Sequence, residues 1–300
     1  MPHFQTRDGA RLHYLDVGRG RPVVMLHAFG MRSAMWLPSV LPFAHKHRFV
    51  MLDFRGFGGS HRQRLAHGDV LRQNADDVHD LLEQLRLRDA RLVGFSIGAA
   101  TALEYQRRYG FDRFVRYLHV DQTPCIANKP DWHWRLMGAR NAEAFESARQ
   151  MLDAFDGVDV ERPFRALPLA LRQTYWRWFG GFFRACFSIP WWRWGLQALG
   201  DRRAGRLLVR GDAWPVYLDA IRSFIERDYD FRDSLRRVRI PFWAILGRNS
   251  PIFPPEGQRR IACYVPDTRI IEFRGCGHVI PAEAPARWVH TLRRYLAAET

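Results

Sequence analysis

A strand, a tight turn and a helix are predicted in immediate succession between residues 90 and 110, and this unit constrains the fold most. The apolar residues Leu92 and Val93 lead into residues 94–98, Gly-Phe-Ser-Ile-Gly, after which alanine and leucine recur as in a buried helix. Glycines two positions before and after a serine allow the backbone to bend tightly, so that the hydroxyl projects from a strained corner. Because a strand precedes the turn and a helix follows it, the pattern predicts a nucleophilic serine at Ser96.

Strand and helix patterns alternate through the first part of the chain. Residues 3–17 are expected to form an antiparallel hairpin, while residues 22–27 and 48–53 are apolar at consecutive positions, as in strands that are covered on both faces. Residues 74–85 have leucine and valine at helical spacing, and residues 114–120 give a further strand. This alternation predicts an α/β fold with a mostly parallel, doubly wound sheet.

Four short segments occur together in an order that resembles the α/β-hydrolase superfamily. They are Leu-His-Ala-Phe-Gly at 26–30, Asp-Phe-Arg-Gly-Phe-Gly-Gly-Ser at 53–60, the segment around Ser96, and Gly-Cys-Gly-His-Val-Ile-Pro at 275–281. The resemblance extends over residues 3–121 and 238–297, and it implies the α/β-hydrolase fold with an inserted helical cap. Ala28 departs from the commonest family pattern, which has glycine there, so we expect a slightly shifted loop.

The middle of the chain has a different composition from its two ends. It lacks the glycine-rich strand turns and is crowded with aromatic residues, before strand patterns resume at 240–247 and 268–273. We therefore expect the core to comprise residues 1–123 and 238–300, and the cap to comprise residues 124–237. Some aromatic rings should line an apolar pocket over the serine. The candidates for substrate contact are Phe95, Trp132 and Trp134.

His278 is the best candidate for a general base. A serine hydroxyl is a poor nucleophile at neutral pH, so it needs a base within hydrogen-bond reach and a group that orients this base. His278 lies in a glycine-flanked loop after a strand, late in the chain, where a serine-acid-histidine order places the base. His27 also ends a strand near the site, but the resemblance implies a structural role for it.

The sequence indicates the acid less directly. In the more frequent arrangement of the superfamily an aspartate stands about three residues after the glycine equivalent to Gly247, but Ser250 is found there. Some members carry the acid after the preceding strand, and Asp121 stands at that place. We expect Asp121 to orient the histidine. Asn249 is the alternative, which could fix the geometry of the imidazole but could not stabilise an imidazolium by charge.

The resemblance also implies an oxyanion hole formed by the backbone N–H groups of Phe29 and Ile97. The expected function is that of a serine hydrolase, which cleaves a carboxylic ester, lactone or thioester with an apolar or aromatic acyl part through an acyl-enzyme. No metal or organic cofactor is expected. Carbon–carbon bond hydrolysis, perhydrolysis and acyl transfer stay open. The missing aspartate after Gly247, together with Ala28, also leaves open a non-catalytic small-molecule-binding homologue.

The formal net charge of +15 restricts the possible partners without choosing among them. Nearly all of the 46 basic residues are arginines, and they are scattered rather than grouped in a tail. They fit a solvated surface, or attraction of an anionic substrate such as a carrier-bound acyl group, better than a nucleic-acid site.

The sequence has no apolar run long enough for a membrane span and no export signal, and its four cysteines lack paired spacing. We therefore expect a cytoplasmic protein.

Overall fold

An eight-stranded sheet forms the centre of the protein, whose computed structural model describes residues 2–298. The strands are β1 (His3–Gln5), β2 (Arg11–Gly18), β3 (Arg21–Leu26), β4 (His47–Leu52), β5 (Ala90–Phe95), β6 (Phe114–Val120), β7 (Phe242–Gly247) and β8 (Thr268–Phe273). In space they lie in the order β1-β2-β4-β3-β5-β6-β7-β8. β1 and β2 pair in antiparallel fashion and β3 to β8 run parallel, which confirms the predicted hairpin and doubly wound sheet.

Helices cover both faces of this sheet. Those of the core are α1 (Leu37–Val40), α2 (Val70–Gln84), α3 (Ile97–Tyr109), α10 (Pro255–Arg259), α11 (Ile280–Glu283) and α12 (Pro285–Ala297). One apolar cluster joins α2 and α3 to the sheet, and a second joins α12 to its opposite face through Trp288 and Tyr295. Every residue of β5 and of β7 is buried, as expected for strands with a helical layer on each side.

The segment between β6 and β7 forms the helical cap. Its helices are α4 (Asn141–Asp153), α5 (Leu169–Cys186), α6 (Pro190–Leu199), α7 (Asp201–Leu208), α8 (Trp214–Glu226) and α9 (Arg232–Leu235). The two ends of the segment meet in a bridge between Cys125 and Asp230. Aromatic side chains of α5 and α8 join the cap to the apolar cluster beneath it, notably Tyr175, Phe179 and Tyr217.

Two helices differ from the sequence-based expectation. α2 begins at Val70, four residues before the expected start, because the side chain of Asp69 caps it by accepting a hydrogen bond from the Arg72 N–H at 3.1 Å. Over residues 282–296 the sequence predicts one amphipathic helix, with Trp288, Leu292 and Tyr295 on one stripe. The structure divides this region into α11 and α12. The division comes at Pro285, whose ring nitrogen has no N–H to continue the first helix but fits the first turn of a new one.

Neither a membrane-spanning helix nor a metal cluster is found among residues 2–298. None of the helices in this range combines the length and the apolar character that crossing a bilayer requires. No group of three or more His, Cys, Asp or Glu side chains in the same range is arranged to hold a metal ion.

Glycines make possible the tight turn between β5 and α3. A Cβ atom on Gly98 would lie 2.3 Å from the carbonyl oxygen of Leu26 in the neighbouring strand, and one on Gly94 would lie 2.7 Å from the carbonyl oxygen of Gly98. Both distances are far below van der Waals contact with backbone atoms that cannot move aside. The turn therefore packs against β3 at a distance that only glycine permits.

We expect Gly98→Ala to lower the free energy of unfolding by about 1–3 kcal/mol, because the added methyl group must displace backbone. Gly195→Ala is the matched control. Gly195 lies within α6 with no atom within 4 Å of a Cβ position, so alanine there should raise stability by about 0.5–1 kcal/mol. Urea unfolding of both variants measures the difference. Equal effects of the two substitutions would contradict the tight-turn explanation.

Candidate active site

Ser96 occupies the strained corner between β5 and α3. Its backbone has φ +55° and ψ −118°, a region that non-glycine residues rarely adopt. The conformation is held by hydrogen bonds, since the Ser96 N–H donates to the Val120 carbonyl at 3.0 Å and the Ser96 carbonyl accepts from Ala100 at 2.9 Å. The side chain of Gln122 donates to the same carbonyl at 3.3 Å. The hydroxyl is therefore presented in a fixed direction.

Three side chains that are far apart in sequence meet at the carboxyl ends of the parallel strands. His278, in the loop after β8, lies with its Nε2 3.0 Å from the Oγ of Ser96. Its Nδ1 lies 2.6 Å from the Oδ2 of Asp121, which directly follows β6. The rings of Phe95 and Phe253 lie against the imidazole, with centroids 5.4 and 5.6 Å away. The structure thus brings the predicted serine, histidine and aspartate together, while their roles in catalysis stay predictions.

Asp121 is completely buried and is surrounded by donors. Its Oδ1 accepts hydrogen bonds from the N–H of Gly247 at 2.8 Å and from the side chain of Gln258 at 3.1 Å. Its Oδ2 accepts from the hydroxyl of Ser250 at 2.6 Å, in addition to its contact with His278. A buried carboxylate is tolerated as an anion only when such donors replace its water. These donors therefore satisfy both oxygens of the buried Asp121 carboxylate.

Ser250 stands after β7, at the place where the commoner pattern of the superfamily has an aspartate. Its hydroxyl donates to the carboxylate of Asp121 at 2.6 Å. Asn249, the alternative orienter, is exposed to solvent, and its N–H donates to the Cys276 carbonyl. The structure places Asp121, and not Asn249, on the imidazole.

The loop after β3 is fixed by buried polar groups. Nδ1 of His27 lies 2.8 Å from the carbonyl of Ala28, and its Nε2 accepts from the N–H of Phe54 at 3.1 Å. Burial lowers the pKa of His27, which therefore stays neutral with its proton on Nδ1. The methyl group of Ala28 is buried in the second apolar cluster, so the loop accommodates the departure from glycine. His27 is a structural residue here.

The two residues of the predicted oxyanion hole line the same cavity as Ser96. Phe29 and Ile97 both line the cavity that Ser96 and His278 line. Within residues 2–298, neither of their N–H groups donates to another backbone carbonyl. Both are therefore available to a ligand bound at the serine.

The ring of Phe29 lies between the core and the cap. Its centroid is 5.4 Å from that of Phe57 in the core, and 5.0 and 5.9 Å from those of Tyr217 and Phe179 in the cap. Aromatic pairs at these separations add about 0.5–1.5 kcal/mol each beyond the area that they bury. The position of the Phe29 N–H is therefore coupled to the packing of the cap.

The cavity over Ser96 is small and almost entirely apolar. It has a volume of about 100 Å³. Besides Phe29, Ser96, Ile97 and His278, it is lined by Gln122, Leu136, Met137, Ala144, Phe145, Ala148, Trp178, Phe182, Ile221, Phe224, Ile225, Ile252 and Phe253. Most of these side chains come from α4, α5 and α8 of the cap. The polar side chains of Ser96 and His278 therefore lie beneath an apolar roof.

The expectation that Trp132, Trp134 and Phe95 line this cavity is corrected by their positions. Trp132 is buried in a separate cluster with Cys125 and Ala127, and its indole N–H donates to the carbonyl of Trp134 at 2.9 Å. Phe95 lies below the imidazole, on the side of the sheet. The two tryptophans belong to a segment without regular secondary structure, so no periodicity in the sequence indicated which way they face.

Other aromatic residues take the place of those tryptophans. Trp178 and Phe182 of α5 lie one helical turn apart, and Phe145 and Phe224 come from α4 and α8. The spacing of Trp178 and Phe182 predicts that they share a face. It does not say whether that face points towards Ser96 or into the core of the cap.

A buried hydrogen-bond network beneath the cavity was not predicted from the sequence. The hydroxyl of Tyr117 lies 2.9 Å from Nδ1 of His119, whose Nε2 lies 2.9 Å from the carbonyl of Gln122. Burial lowers the pKa of His119 to about 4, so the ring is neutral and donates from Nε2. The network fixes Gln122, which in turn holds the carbonyl of Ser96.

Comparisons with known proteins support the fold described above. A family model described as the alpha/beta hydrolase fold matches residues 21–285. The chain belongs to the α/β-hydrolase family. The sequence is 26% identical to a non-heme chloroperoxidase of Kitasatospora aureofaciens, over 93% of each chain. It is 25% identical to a bifunctional esterase/perhydrolase of Acinetobacter calcoaceticus, over 94% of each. An esterase structure from Exiguobacterium antarcticum superposes with a TM-score of 0.74 at 20% identity and covers 99% of both chains.

In this α/β hydrolase, Glu283 connects the cap to the histidine loop. Its carboxylate accepts from the hydroxyl of Ser188 at 2.7 Å and from the N–H of Ile189 at 3.2 Å, both between α5 and α6. It also accepts from the N–H of Gly277 at 3.0 Å and of Val279 at 3.4 Å. One buried carboxylate therefore fixes both neighbours of His278 and one edge of the cap.

We expect Glu283→Gln to lower the free energy of unfolding by about 1–3 kcal/mol, because charge-assisted hydrogen bonds to several N–H groups are weakened together. Amide hydrogen exchange should accelerate at Gly277 and Val279 and also at Ser188 and Ile189. Ser188→Ala should accelerate exchange on the cap side only. Unchanged exchange in the Gln variant on either side would contradict the proposed connection.

Proposed function

We propose that the protein is a serine hydrolase that cleaves a carboxylic ester, lactone or thioester with an apolar or aromatic acyl part. The observation that carries the proposal is the chain of contacts from Ser96 through His278 to Asp121, with distances of 3.0 and 2.6 Å, at the floor of an apolar cavity. A hydroxyl, an imidazole and a buried carboxylate in this order can generate a nucleophile at neutral pH.

In the first half of the reaction, the Oγ of Ser96 attacks the carbonyl carbon of the substrate while Nε2 of His278 takes the hydroxyl proton. The carbonyl oxygen becomes an oxyanion that accepts from the N–H groups of Phe29 and Ile97. Asp121 stabilises the imidazolium of His278. The imidazolium then donates its proton to the leaving alcohol or thiol. An acyl-enzyme on Ser96 remains.

In the second half, a water molecule loses a proton to His278 and attacks the acyl carbon. The same two N–H groups stabilise the second oxyanion, and collapse of the intermediate returns the proton to Ser96 and releases the carboxylic acid. His278 and Ser96 thus account for every proton transfer on the protein. The apolar lining of the cavity favours an acyl group of apolar or aromatic character, carried by a small-molecule substrate.

A related reaction has specific support from the relatives. The Acinetobacter protein is named an esterase/perhydrolase and the Kitasatospora protein a chloroperoxidase. Hydrogen peroxide in place of water would attack the acyl carbon of the same acyl-enzyme and yield a peroxycarboxylic acid. Release of peracid from an acyl donor and hydrogen peroxide distinguishes this second candidate from simple hydrolysis.

A fluorophosphonate probe should label the protein on Ser96, because the activated hydroxyl attacks phosphorus as it would attack an acyl carbon. Mass spectrometry of the labelled peptide identifies the residue. Ser96→Ala should abolish the adduct. Ser60→Ala, which changes a buried serine outside the cavity, is the control and should leave the adduct in place. Absence of any adduct on Ser96 would favour the non-catalytic binding homologue over the hydrolase.

Asp121→Asn should reduce kcat for a model ester by roughly 10⁴-fold, because an amide cannot stabilise the imidazolium and favours the wrong tautomer. Ser250→Ala removes one donor to the carboxylate and should reduce kcat by about tenfold. Asn249→Ala is the control and should change little. A larger loss in the Asn249 variant than in the Asp121 variant would overturn the assignment of the acid.

A further inference from the structure

A second, larger cavity lies on the cap next to the one over Ser96. It has a volume of about 530 Å³ and is formed mainly by α4 and α5, with contributions from α6 and α7. Met137, Ala144, Trp178 and Phe182 line both cavities. The outer space, which we term the cap cleft, therefore adjoins the apolar cavity through shared walls.

Two helical stripes build the cap cleft. On α4, the cleft residues Glu143, Ser147 and Gln150 are spaced by four and three positions. On α5, Thr174 is followed by Arg177 three positions later and by Trp178 four positions later. Residues at such spacing share one face of a helix. On both helices this face carries polar groups at the cleft and apolar groups at the inner cavity. The helices thus provide a continuous surface that changes from apolar to polar.

The cap cleft is electropositive. Four arginines line it, namely Arg140, Arg177, Arg184 and Arg193, against the two carboxylates of Glu143 and Asp201. Arg184 and Asp201 form a two-pronged ion pair at 2.8 and 3.0 Å and neutralise each other. Against the remaining three guanidinium groups the cleft has one other carboxylate, that of Glu143. Among residues 2–298, Arg140, Arg177 and Arg193 take part in no ion pair.

We propose that the cap cleft binds the carboxylate of a small anionic ester whose apolar acyl region occupies the inner cavity. The assignment rests on the proposed hydrolase function and adds a substrate class to it. Guanidinium groups bind carboxylates through paired N–H donors, and the hydroxyls of Ser147 and Thr174 and the amide of Gln150 supply further donors in the same cleft. The net charge of +15 attracts such a substrate from a distance.

The position of the cap cleft determines which kinetic constant responds. The guanidinium groups bind a part of the substrate that does not change during the reaction, so they stabilise the bound substrate and the transition state equally. Such uniform binding lowers KM and leaves kcat largely unaltered. Screening by salt should weaken the effect, because Arg140, Arg177 and Arg193 are exposed.

Two pairs of synthetic esters test the proposal. In one pair the charge is on the alcohol side, with 4-carboxyphenyl butanoate against 4-carbamoylphenyl butanoate. In the other it is on the acyl side, with the mono-4-nitrophenyl ester of adipic acid against 4-nitrophenyl hexanoate. We expect the anionic member of at least one pair to have a KM about tenfold lower at low ionic strength. This preference should shrink in 0.5 M salt, because salt screens the attraction between exposed charges.

Variants then assign the preference to the cap cleft. The double variant Arg140→Ala/Arg177→Ala should bring the ratio of kcat/KM for anionic over neutral ester close to one. Glu143→Gln should raise the ratio, because it removes the carboxylate that opposes the substrate. Arg149→Ala is the matched control, since it removes an exposed arginine of α4 that lies outside the cleft.

The outcomes separate the two proposals. Hydrolysis of the neutral esters without any preference for the anionic ones would overturn the carboxylate site and leave the hydrolase standing. A preference that Arg149→Ala reduces as much as the double variant would also overturn it, because general surface charge would then be the cause. If the folded protein cleaved no ester, the proposed function would fail and the carboxylate site with it.

Discussion

The buried carboxylate of Asp121 is the interaction on which the site depends. It follows β6 in the middle of the sheet, and its four donors come from β7, the loop after β7, α10 and the histidine loop. Without those donors an anion at full burial would be very unfavourable, so the surrounding segments must adopt one arrangement to satisfy it. The same arrangement directs His278 towards Ser96. Satisfaction of the buried carboxylate and orientation of the imidazole thus have one physical origin.

Much of this architecture could be predicted because its determinants are local. Consecutive apolar residues identify buried strands, and the two glycines around Ser96 require a tight turn, so the sheet and the serine follow from short stretches of sequence. Asp121 could be inferred from its place after β6. Its partners Ser250 and Gln258 could not, because a hydroxyl or an amide becomes a donor to a particular carboxylate only after distant segments have packed together.

The cap shows where sequence periodicity stops being informative. Trp178 and Phe182 face the cavity while Trp132 and Trp134 do not, although all four are aromatic residues of the same segment. Which rings face the serine is decided by how the cap helices pack on the sheet and on one another. That choice depends on contacts spread over the whole molecule, such as the packing of Phe29 against Phe179 and Tyr217.

Glu283 and the ring of Phe29 have a consequence for how such enzymes diversify. Ser96, Asp121 and His278 all lie outside residues 124–237, so a cap from another protein would leave the three proposed catalytic residues unaltered. A chimaera would nevertheless have to reproduce two attachments: aromatic rings that hold Phe29, and a donor at Ser188 for Glu283. The cap can therefore change its sequence to accept new substrates as long as these two attachments to the core are kept.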